Sequence, residues 1–381
     1  MGPSYDIESI RRTIPLLRET VSMNNCSQAP QTAATRAAAD AYLESWNRDG
    51  MDWERWMEEV EAARAAFARL VNAEARDVAV CTSVSQATAS VASALDFSGP
   101  RNQVVVTEGE FPTVGHVWRA RERDGARVRW VPVRNGTIPL EGYAGVLTEE
   151  TLLVSACHAY YQTGFKQELG QVAAMAREVG ALVYVDAYQA LGSCGVDVRA
   201  LDLDFLASGN LKFLMGIPGI AFLYVKPSVA EKLEPAVTGW FGRKDPFAFR
   251  IRELTWAPGA RRFDTGTPPV LQAYVARAGM ELLEGIGLDA IREWTEELSR
   301  ALVAGGEERG LELMGSPDPR RKAPTTAFRV PGDSHEVEEA LKRRGVLASA
   351  RGPAIRLAPH FYSTLADVER ALDALADVLR E

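Results

Sequence analysis

Seven short apolar runs, rich in β-branched residues, alternate with helical patterns up to residue 225 and constrain the fold more than any other feature. They are DVAVCTS (77–83), QVVVTEGE (103–110), VRWVPV (128–133), TLLVSACH (151–158), ALVYVDA (181–187), LDFLAS (203–208) and GIAFLYV (219–225). Continuous apolar strands separated by helices are typical of a mainly parallel sheet that is covered on both faces. We therefore expect an α/β fold with a large doubly wound domain, which binds its ligand where the strands end.

The pattern changes near residue 240, where a stretch rich in Gly, Pro and aromatic residues precedes helices with a few strands. A chain of 381 residues is longer than one ordinary domain, and this change predicts a second, smaller α+β domain. We expect an N-terminal arm over 1–25 that joins the small domain, a large domain over 26–255 and the small domain over 256–381.

The composition argues against several classes of partner. The formal net charge is −8, which disfavours nucleic acid or an anionic membrane surface as the main partner. No apolar run is long enough to span a bilayer. The four cysteines and the four histidines are dispersed, with neither a Cys-x-x-Cys pair nor metal-ligand spacing. We expect a cytoplasmic protein without a structural metal.

Polar residues that follow the strands are the candidates for a site. Lys212 stands among apolar neighbours, so its ammonium either reaches the surface or is held in a dry pocket as a reactive amine. Asp186 ends a strand and either caps a helix or offers an anion to a cationic ring, with Gln189 one turn later. Ser83 and Ser85 precede a helical pattern whose free backbone N–H groups suit an anion such as phosphate.

Together these three features meet the requirements of pyridoxal phosphate. Its phosphate needs a cradle, its pyridine nitrogen needs a carboxylate that keeps it protonated, and its aldehyde needs an amine. A lysine in a desolvated pocket loses its proton more readily, and the neutral amine is the form that attacks a carbonyl. The usual nucleotide fingerprints, GxGxxG and the Walker sequence, follow none of the predicted strands.

Six motifs along nearly the whole chain carry a resemblance to a known enzyme family. They are TSVSQAT, EGEFPTVGHVW, YVDAYQALG, SGNLKFLMGIPGIAFLYV, RRFDTGTPP and IRLAPHFYST. In this order they are similar to motifs of the class V aminotransferase family of fold type I pyridoxal-phosphate enzymes, which includes cysteine desulfurases, isopenicillin N epimerase-like proteins and kynureninases. The resemblance implies that Lys212 forms the Schiff base, that Asp186 contacts the pyridine nitrogen and that Gln189 lies near the phenolic oxygen.

The same resemblance implies the other cofactor contacts and an assembly. The contacts are Ser83, Val84 and Ser85 at the phosphate, Phe111 over the ring, and Asn210, which stands close to where many relatives have a histidine before the lysine. Gly266 and Thr267 are expected to reach the phosphate of the neighbouring subunit. We therefore expect a homodimer with active sites shared across its interface.

Four residues are expected to contact the substrate. The resemblance of the motif IRLAPHFYST implies that the guanidinium of Arg356 binds an α-carboxylate through two parallel hydrogen bonds. Tyr160, where many relatives place an asparagine, and Trp240 in TGWFG belong to patterns that are closer to kynureninases. Asn25 in MNNCSQAP is the fourth contact, and Cys26 beside it is either reactive or a small buried residue.

The resemblance implies an enzyme that acts at the α-carbon of an α-amino acid through an external aldimine and a quinonoid. We expect a lyase, by β-elimination or by carbon–carbon or carbon–sulfur cleavage, with an aminotransferase and an amino-acid epimerase as alternatives. A persulfide-type cysteine desulfurase is disfavoured because no cysteine follows Cys194. A non-catalytic α/β binding protein is the alternative from another class.

Overall fold

A computed structural model describes residues 2–381. The strands are β1 (Val21–Ser22), β2 (Val78–Cys81), β3 (Gln103–Thr107), β4 (Arg127–Val131), β5 (Thr151–Cys157), β6 (Leu182–Asp186), β7 (Phe205–Gly209), β8 (Ala221–Val225), β9 (Leu313–Met314), β10 (Thr326–Arg329), β11 (Val346–Leu347), β12 (Ser349–Arg351) and β13 (Ala354–Leu357). The α-helices are α1 (Ile7–Arg12), α2 (Ala33–Asp49), α3 (Trp53–Leu70), α4 (Val84–Ser93), α5 (Pro112–Ala120), α6 (Leu140–Ala144), α7 (Leu169–Glu178), α8 (Pro227–Ala230), α9 (Val270–Ile286), α10 (Leu288–Glu308), α11 (Ser334–Arg343) and α12 (Leu365–Arg380). Among residues 2–381, no helix combines the length and the apolar character needed to cross a membrane.

All seven predicted strands form one central sheet in the order β2-β8-β7-β6-β5-β3-β4. The pairs between β4, β3, β5, β6 and β7 are parallel, whereas β8 runs antiparallel to both β7 and β2. At the edge strand β4, Arg127 and Arg129 are exposed, which discourages another chain from pairing there. The predicted α/β fold with a large, mainly parallel sheet is confirmed.

Alternate residues of the central strands contribute to two cores on opposite faces of the sheet. In β3, Val105 packs in the core that α3, α7 and α9 cover, whereas Val104 and Val106 pack in the core beneath α4 and α5. Successive side chains of a strand point to opposite faces, so strands that are apolar at every position require two covered faces. This is the doubly wound arrangement expected from the sequence.

A second, smaller sheet lies in the C-terminal part of the chain. Its four antiparallel strands have the order β12-β13-β10-β9, and a third core lies between this sheet and α10, α11 and α12. Because β1 pairs in parallel with β11, Val21 and Met23 reach this core. Helix α9 instead packs against α2 and α3. The predicted boundaries at residues 25 and 255 stay predictions.

The connection between β7 and β8 determines where Lys212 lies. It spans residues 210–220 without an α-helix, and such a short connection returns the chain antiparallel rather than through a crossover. Strands β2, β3, β6 and β7 run in one direction, so their carboxyl ends share an edge of the sheet. Asp186 is the last residue of β6, and Ser83, Phe111 and Lys212 follow the ends of β2, β3 and β7, so the fold brings these residues together.

Candidate functional site

A cavity of about 120 Å³ opens at this carboxyl edge of the central sheet. Its wall includes Ser83, Val84, Ser85, Phe111, Asp186, Gln189 and Lys212, which are all predicted cofactor contacts. Three other predicted contacts, Asn210, Gly266 and Thr267, are not part of this wall. The strand ends thus assemble most of the predicted cofactor site within one chain.

Lys212 projects its amine into the cavity. The Nζ atom lies 4.2 Å from the centroid of the Tyr188 ring and 5.5 Å from that of the Phe111 ring. Burial lowers the pKa of the amine to about 8, although the negative charge of Asp186 acts in the opposite direction. The residue as a whole is half-buried because the cavity opens to solvent. Near neutral pH, a larger fraction of this amine is unprotonated than of an ordinary lysine.

Asp186 offers one carboxylate oxygen to the cavity. Its Oδ1 accepts the backbone N–H of Tyr188 at 2.9 Å, whereas Oδ2 makes no hydrogen bond with any residue from 2 to 381. Burial raises the pKa of this carboxyl group, and the Tyr188 N–H and the charge of Lys212 act in the opposite direction. A cationic group bound in the cavity would favour the ionised form. Asp186 thus closes a local turn and still presents a free oxygen.

Two buried polar atoms near Asp186 lack a partner within the described chain. Gln189 donates from Nε2 to the carbonyl of Cys26 at 3.2 Å, which leaves its Oε1 unbonded. His158 follows β5, its Nδ1 has no partner, and burial lowers its pKa to about 3, so the ring is neutral. Buried polar groups are normally hydrogen-bonded, so such orphaned atoms indicate a missing polar ligand. They fit a cofactor ring that carries nitrogen and oxygen substituents.

The first turn of α4 forms an anion-binding corner of the cavity. Ser83 caps this helix by accepting the backbone N–H of Gln86 at 3.1 Å. Helix geometry leaves the N–H groups of Val84 and Ser85 without intrahelical acceptors, and the helix dipole favours an anion there. The hydroxyl of Ser85 donates to Thr113 at 3.3 Å. These groups fit a phosphate without further rearrangement of the chain.

The segment that contains Gly266 and Thr267 is attached beside this corner. Gln86 donates from Nε2 to the hydroxyl of Thr265 at 2.6 Å, which fixes the start of the segment against α4. Gly266 and Thr267 themselves are exposed. They are therefore accessible to another molecule.

Arg356 is buried, with 1% of its surface exposed, and Tyr161 lies between it and Phe111 of the cavity wall. Its guanidinium donates to the carbonyl of Tyr161 at 2.7 Å, to Ser349 at 2.6 Å and to Ser27 at 3.2 Å. Its Nε–H has no acceptor within the described part of the chain. The ring of Tyr161 packs edge-on against Phe111, with centroids 5.4 Å apart. Tyr161 thus links the buried guanidinium to the cavity.

The other predicted substrate contacts lie outside the cavity wall. Both polar atoms of the Asn25 side chain are hydrogen-bonded within the protein. The hydroxyl of Tyr160 donates to Gln162. Trp240 stacks on Trp53 with centroids 6.1 Å apart and lines a separate cavity of about 680 Å³. The assignment of these three residues to the substrate stays a prediction.

Sequence reasoning missed Tyr188, whose ring lies beside the Lys212 amine. A Cβ atom added to Gly209 would lie 2.1 Å from this ring, so the glycine at the end of β7 makes room for it. Tyr188 lies inside the motif YVDAYQALG, between the aspartate and the glutamine. An aromatic residue between two predicted cofactor contacts was the available signal.

Glu110 is the second residue that the sequence did not single out. Its Oε1 accepts the hydroxyl of Ser155 at 3.1 Å, whereas its Oε2 has no partner in residues 2–381. Burial, together with the nearby negative charge of Asp186, raises the pKa of Glu110 well above its ordinary range. Both effects favour the protonated form of this carboxyl group. The signal was a carboxylate directly before Phe111 at a strand end.

Comparison with known proteins gives matches along most of the chain. The family described as Aminotransferase class-V matches residues 26–370. The chain is 36% identical over 371 residues to an uncharacterized aminotransferase, YcbU, of Bacillus subtilis (strain 168), with 97% of each chain covered. It is 30% identical over 358 residues to a kynureninase of Deinococcus radiodurans, with 91% of this chain and 85% of the relative covered. The apo structure of a cysteine desulfurase from Thermococcus onnurineus NA1 superposes over the whole of both chains with a TM-score of 0.89 at 23% identity, which shows a shared fold.

Proposed function

We propose a reaction class for this chain on the basis of its family. The chain belongs to the class V aminotransferase family, whose members are pyridoxal-phosphate enzymes. The protein is accordingly a pyridoxal-phosphate-dependent enzyme. The free Oδ2 of Asp186, the unbonded Oε1 of Gln189 and the open first turn of α4 fit this cofactor. The reaction that we propose is that of a lyase acting on an α-amino acid.

The observation that carries the proposal is an amine of lowered pKa facing a buried carboxylate across one cavity. When bound, pyridoxal phosphate supplies an electron-poor ring that takes up the electron pair left at the α-carbon of an amino acid. Asp186 would hold the ring nitrogen, and the first turn of α4 would hold the phosphate. Lys212 would hold the cofactor until the amine of the substrate takes its place, and the Nζ released in this exchange would take the proton from the α-carbon of the substrate.

Arg356 binds the α-carboxylate of the substrate in this proposal. Its guanidinium is already fixed by hydrogen bonds to Tyr161, Ser349 and Ser27, so little conformational entropy is lost when a carboxylate binds. The Nε–H that lacks an acceptor supports a further charge-assisted bond. A carboxylate held here orients the α-carbon relative to Lys212.

Two observations support a lyase rather than a persulfide-forming desulfurase. The Deinococcus radiodurans relative is a kynureninase, and kynureninases are lyases. A persulfide route needs a reactive thiolate, yet no cysteine follows Cys194 in the sequence, and all four cysteines are buried. An aminotransferase is the second candidate, because the Bacillus subtilis relative carries that name.

We also propose a homodimer with shared active sites. Gly266 and Thr267 are exposed beside the phosphate corner, in a position from which a second copy could use them. Large apolar side chains are exposed in the last turn of α2, on the α2–α3 connection and on the segment that follows Trp240, and such patches mark interaction surfaces. They are Trp46, Met51, Phe247, Phe249, Ile251 and Leu254.

Borohydride reduction of the purified holoenzyme tests the role of Lys212. The reduced cofactor should be found on the Lys212 peptide by mass spectrometry, and Lys212→Ala should abolish this label. Lys322→Met is the matched control, because Lys322 is also a buried lysine with a lowered pKa but does not line the cavity. A label that survives in Lys212→Ala, or that disappears in Lys322→Met, would refute the assignment.

A screen of α-amino acids tests the reaction class. Changes in visible absorbance identify substrates, and assays for pyruvate, alanine, ammonia and sulfide identify products. A lyase releases product without an added 2-oxo acid, whereas an aminotransferase requires one. Arg356→Ala should raise KM by roughly 10- to 100-fold, as expected for the loss of a charge-assisted hydrogen bond of about 1.5–3 kcal/mol. An unchanged KM would remove Arg356 from the carboxylate site.

A further inference from the structure

His360 reaches from the C-terminal part of the chain to the loop that carries Lys212. Its Nε2 lies 2.9 Å from the carbonyl oxygen of Phe213, the residue after Lys212. The two rings also meet edge-on, with centroids 5.4 Å apart. His360 and Phe213 are both fully buried. A contact between residues so distant in sequence connects the two sheets of the molecule at the lysine.

The protonation state of His360 follows from its partners. A carbonyl oxygen only accepts hydrogen bonds, so the ring proton is on Nε2. Its Nδ1 has no partner among the described residues, and burial lowers the pKa of the ring to about 4. The imidazole is therefore neutral near neutral pH and keeps the same donor. The bond to Phe213 is a fixed structural bond, and His360 does not act there as an acid or a base.

Both ends of this bond are held firmly. The backbone N–H of His360 donates to the hydroxyl of Ser363 at 3.1 Å. The backbone carbonyl of Ser363 accepts the indole N–H of Trp294, from α10, at 2.9 Å. On the other side, a Cβ atom added to Gly192 would lie 2.3 Å from the carbonyl oxygen of Phe213. This close packing leaves the carbonyl little freedom to turn away from His360.

The backbone is held on both sides of Lys212 by other segments. The carbonyl of Leu211 accepts the backbone N–H of Ala29 at 2.9 Å, and the carbonyl of Phe213 accepts the bond from His360. His360 follows Arg356 by four residues in the same segment. A shift of this segment when a carboxylate binds at Arg356 would therefore act directly on the lysine loop.

We propose that His360 is a positioning residue that holds the Lys212 backbone and couples it to the segment of Arg356. This inference rests on the proposed roles of Lys212 and Arg356. Without the His360 donor, the buried carbonyl of Phe213 has no partner, and the loop must relax to find one. Relaxation moves Nζ relative to its charged and aromatic neighbours and changes the affinity of that nitrogen for a proton. The groups around Nζ that stay unchanged in a His360 variant are Asp186, Cys26, Phe111, Tyr188, Arg351 and Arg356.

A pH titration of the visible absorbance of the holoenzyme measures this affinity directly. His360→Phe keeps an aromatic ring but removes the donor, and we expect it to move the titration midpoint by about half a unit or more. His360→Gln keeps an amide N–H that can reach the carbonyl and should restore the wild-type midpoint. His360→Asn is too short to reach it and should behave like His360→Phe, which keeps the test available if the phenylalanine variant fails to fold.

Trp294→Phe is the matched control, because it removes a buried hydrogen bond from the same anchor without touching the lysine loop. We expect it to lower the melting temperature without moving the midpoint. If His360→Phe and His360→Asn lose stability but titrate like the wild type, the residue is merely structural and the inference is overturned. Failure of the proposed function looks different, since the wild type itself would then carry no label on Lys212.

Discussion

The amine of Lys212 lies 4.2 Å from the centroid of the Tyr188 ring, and the backbone N–H of Tyr188 donates to Asp186 at 2.9 Å. One residue thus contacts both the amine and the carboxylate of the site. Its ring helps to exclude water from the amine, while its backbone holds the carboxylate oxygen in place. The pKa of Lys212 is set by two opposing effects, burial and the charge of Asp186, and these can be separated by substitution.

Tyr188→Ala should raise the pKa of Lys212 above its value of about 8, because burial is the main cause of the lowering. The rate of reductive methylation of Lys212 in cofactor-free protein, followed against pH by peptide mass spectrometry, measures this pKa. Tyr188→Phe keeps the ring and should leave the midpoint unchanged. If Tyr188→Ala titrates like the wild type, the ring does not shield the amine.

Asp186→Asn should shift the pKa of Lys212 in the opposite direction, to below about 8, because the carboxylate charge stabilises the ammonium. The same substitution should weaken cofactor binding by roughly 10- to 100-fold, the effect of losing a hydrogen bond to a charged group. Equilibrium dialysis measures the binding, with the exposed Asp202→Asn as control. Wild-type retention of the cofactor in Asp186→Asn would mean that this carboxylate does not contact it.

The sequence predicted the strands and the edge at which they meet, because strands buried on both faces are continuously apolar. It also placed Ser83, Phe111, Asp186 and Lys212 after strand ends, and the family resemblance drawn from the six motifs is confirmed. These features are local in the chain. Residue types and their spacing are therefore sufficient to predict the strands and the residues that follow them.

Contacts between distant segments were not predictable in this way. Nothing in the run GIAFLYV indicates that β8 is antiparallel to its neighbours, since an apolar strand has the same pattern in either direction. The bond from His360 to Phe213 joins residues 147 positions apart. Glu110 was overlooked because its burial depends on the packing of β3, β5 and β6, which no local pattern reveals.

Glu110→Gln should gain stability relative to the wild type as the pH rises above about 4.5, the ordinary pKa of a glutamate. The folded protein keeps the Glu110 proton at pH values where the unfolded chain has lost it, so the wild type is progressively destabilised as the pH increases. The difference should grow by up to about 1.4 kcal/mol per pH unit. Urea unfolding of cofactor-free protein at pH 5, 6 and 7 measures it. The exposed Glu150→Gln should show no such trend, and a constant difference for Glu110→Gln would mean that Glu110 is ionised in the fold.

Lys322 should make the free energy of unfolding of the wild type rise with pH, which is opposite to the effect of Glu110. Only 2% of its surface is exposed, its Nζ donates to Thr326 at 2.8 Å, and no carboxylate pairs with it in the described part of the chain. Burial lowers its pKa from 10.5 to about 7. Between these two values the unfolded chain binds a proton that the folded protein does not, so the wild type becomes more stable as the pH rises.

Lys322→Met replaces the amine with an apolar side chain of similar length and removes this dependence. The variant should be more stable than the wild type at pH 7, and its advantage should shrink by up to about 1.4 kcal/mol for each unit of pH above that. Urea unfolding at pH 7, 8 and 9 measures the difference. Lys226→Met is the control, because that amine pairs with Asp202 near the surface at 2.7 Å. If the advantage of Lys322→Met is the same at all three pH values, the buried amine stays protonated and burial does not govern its charge.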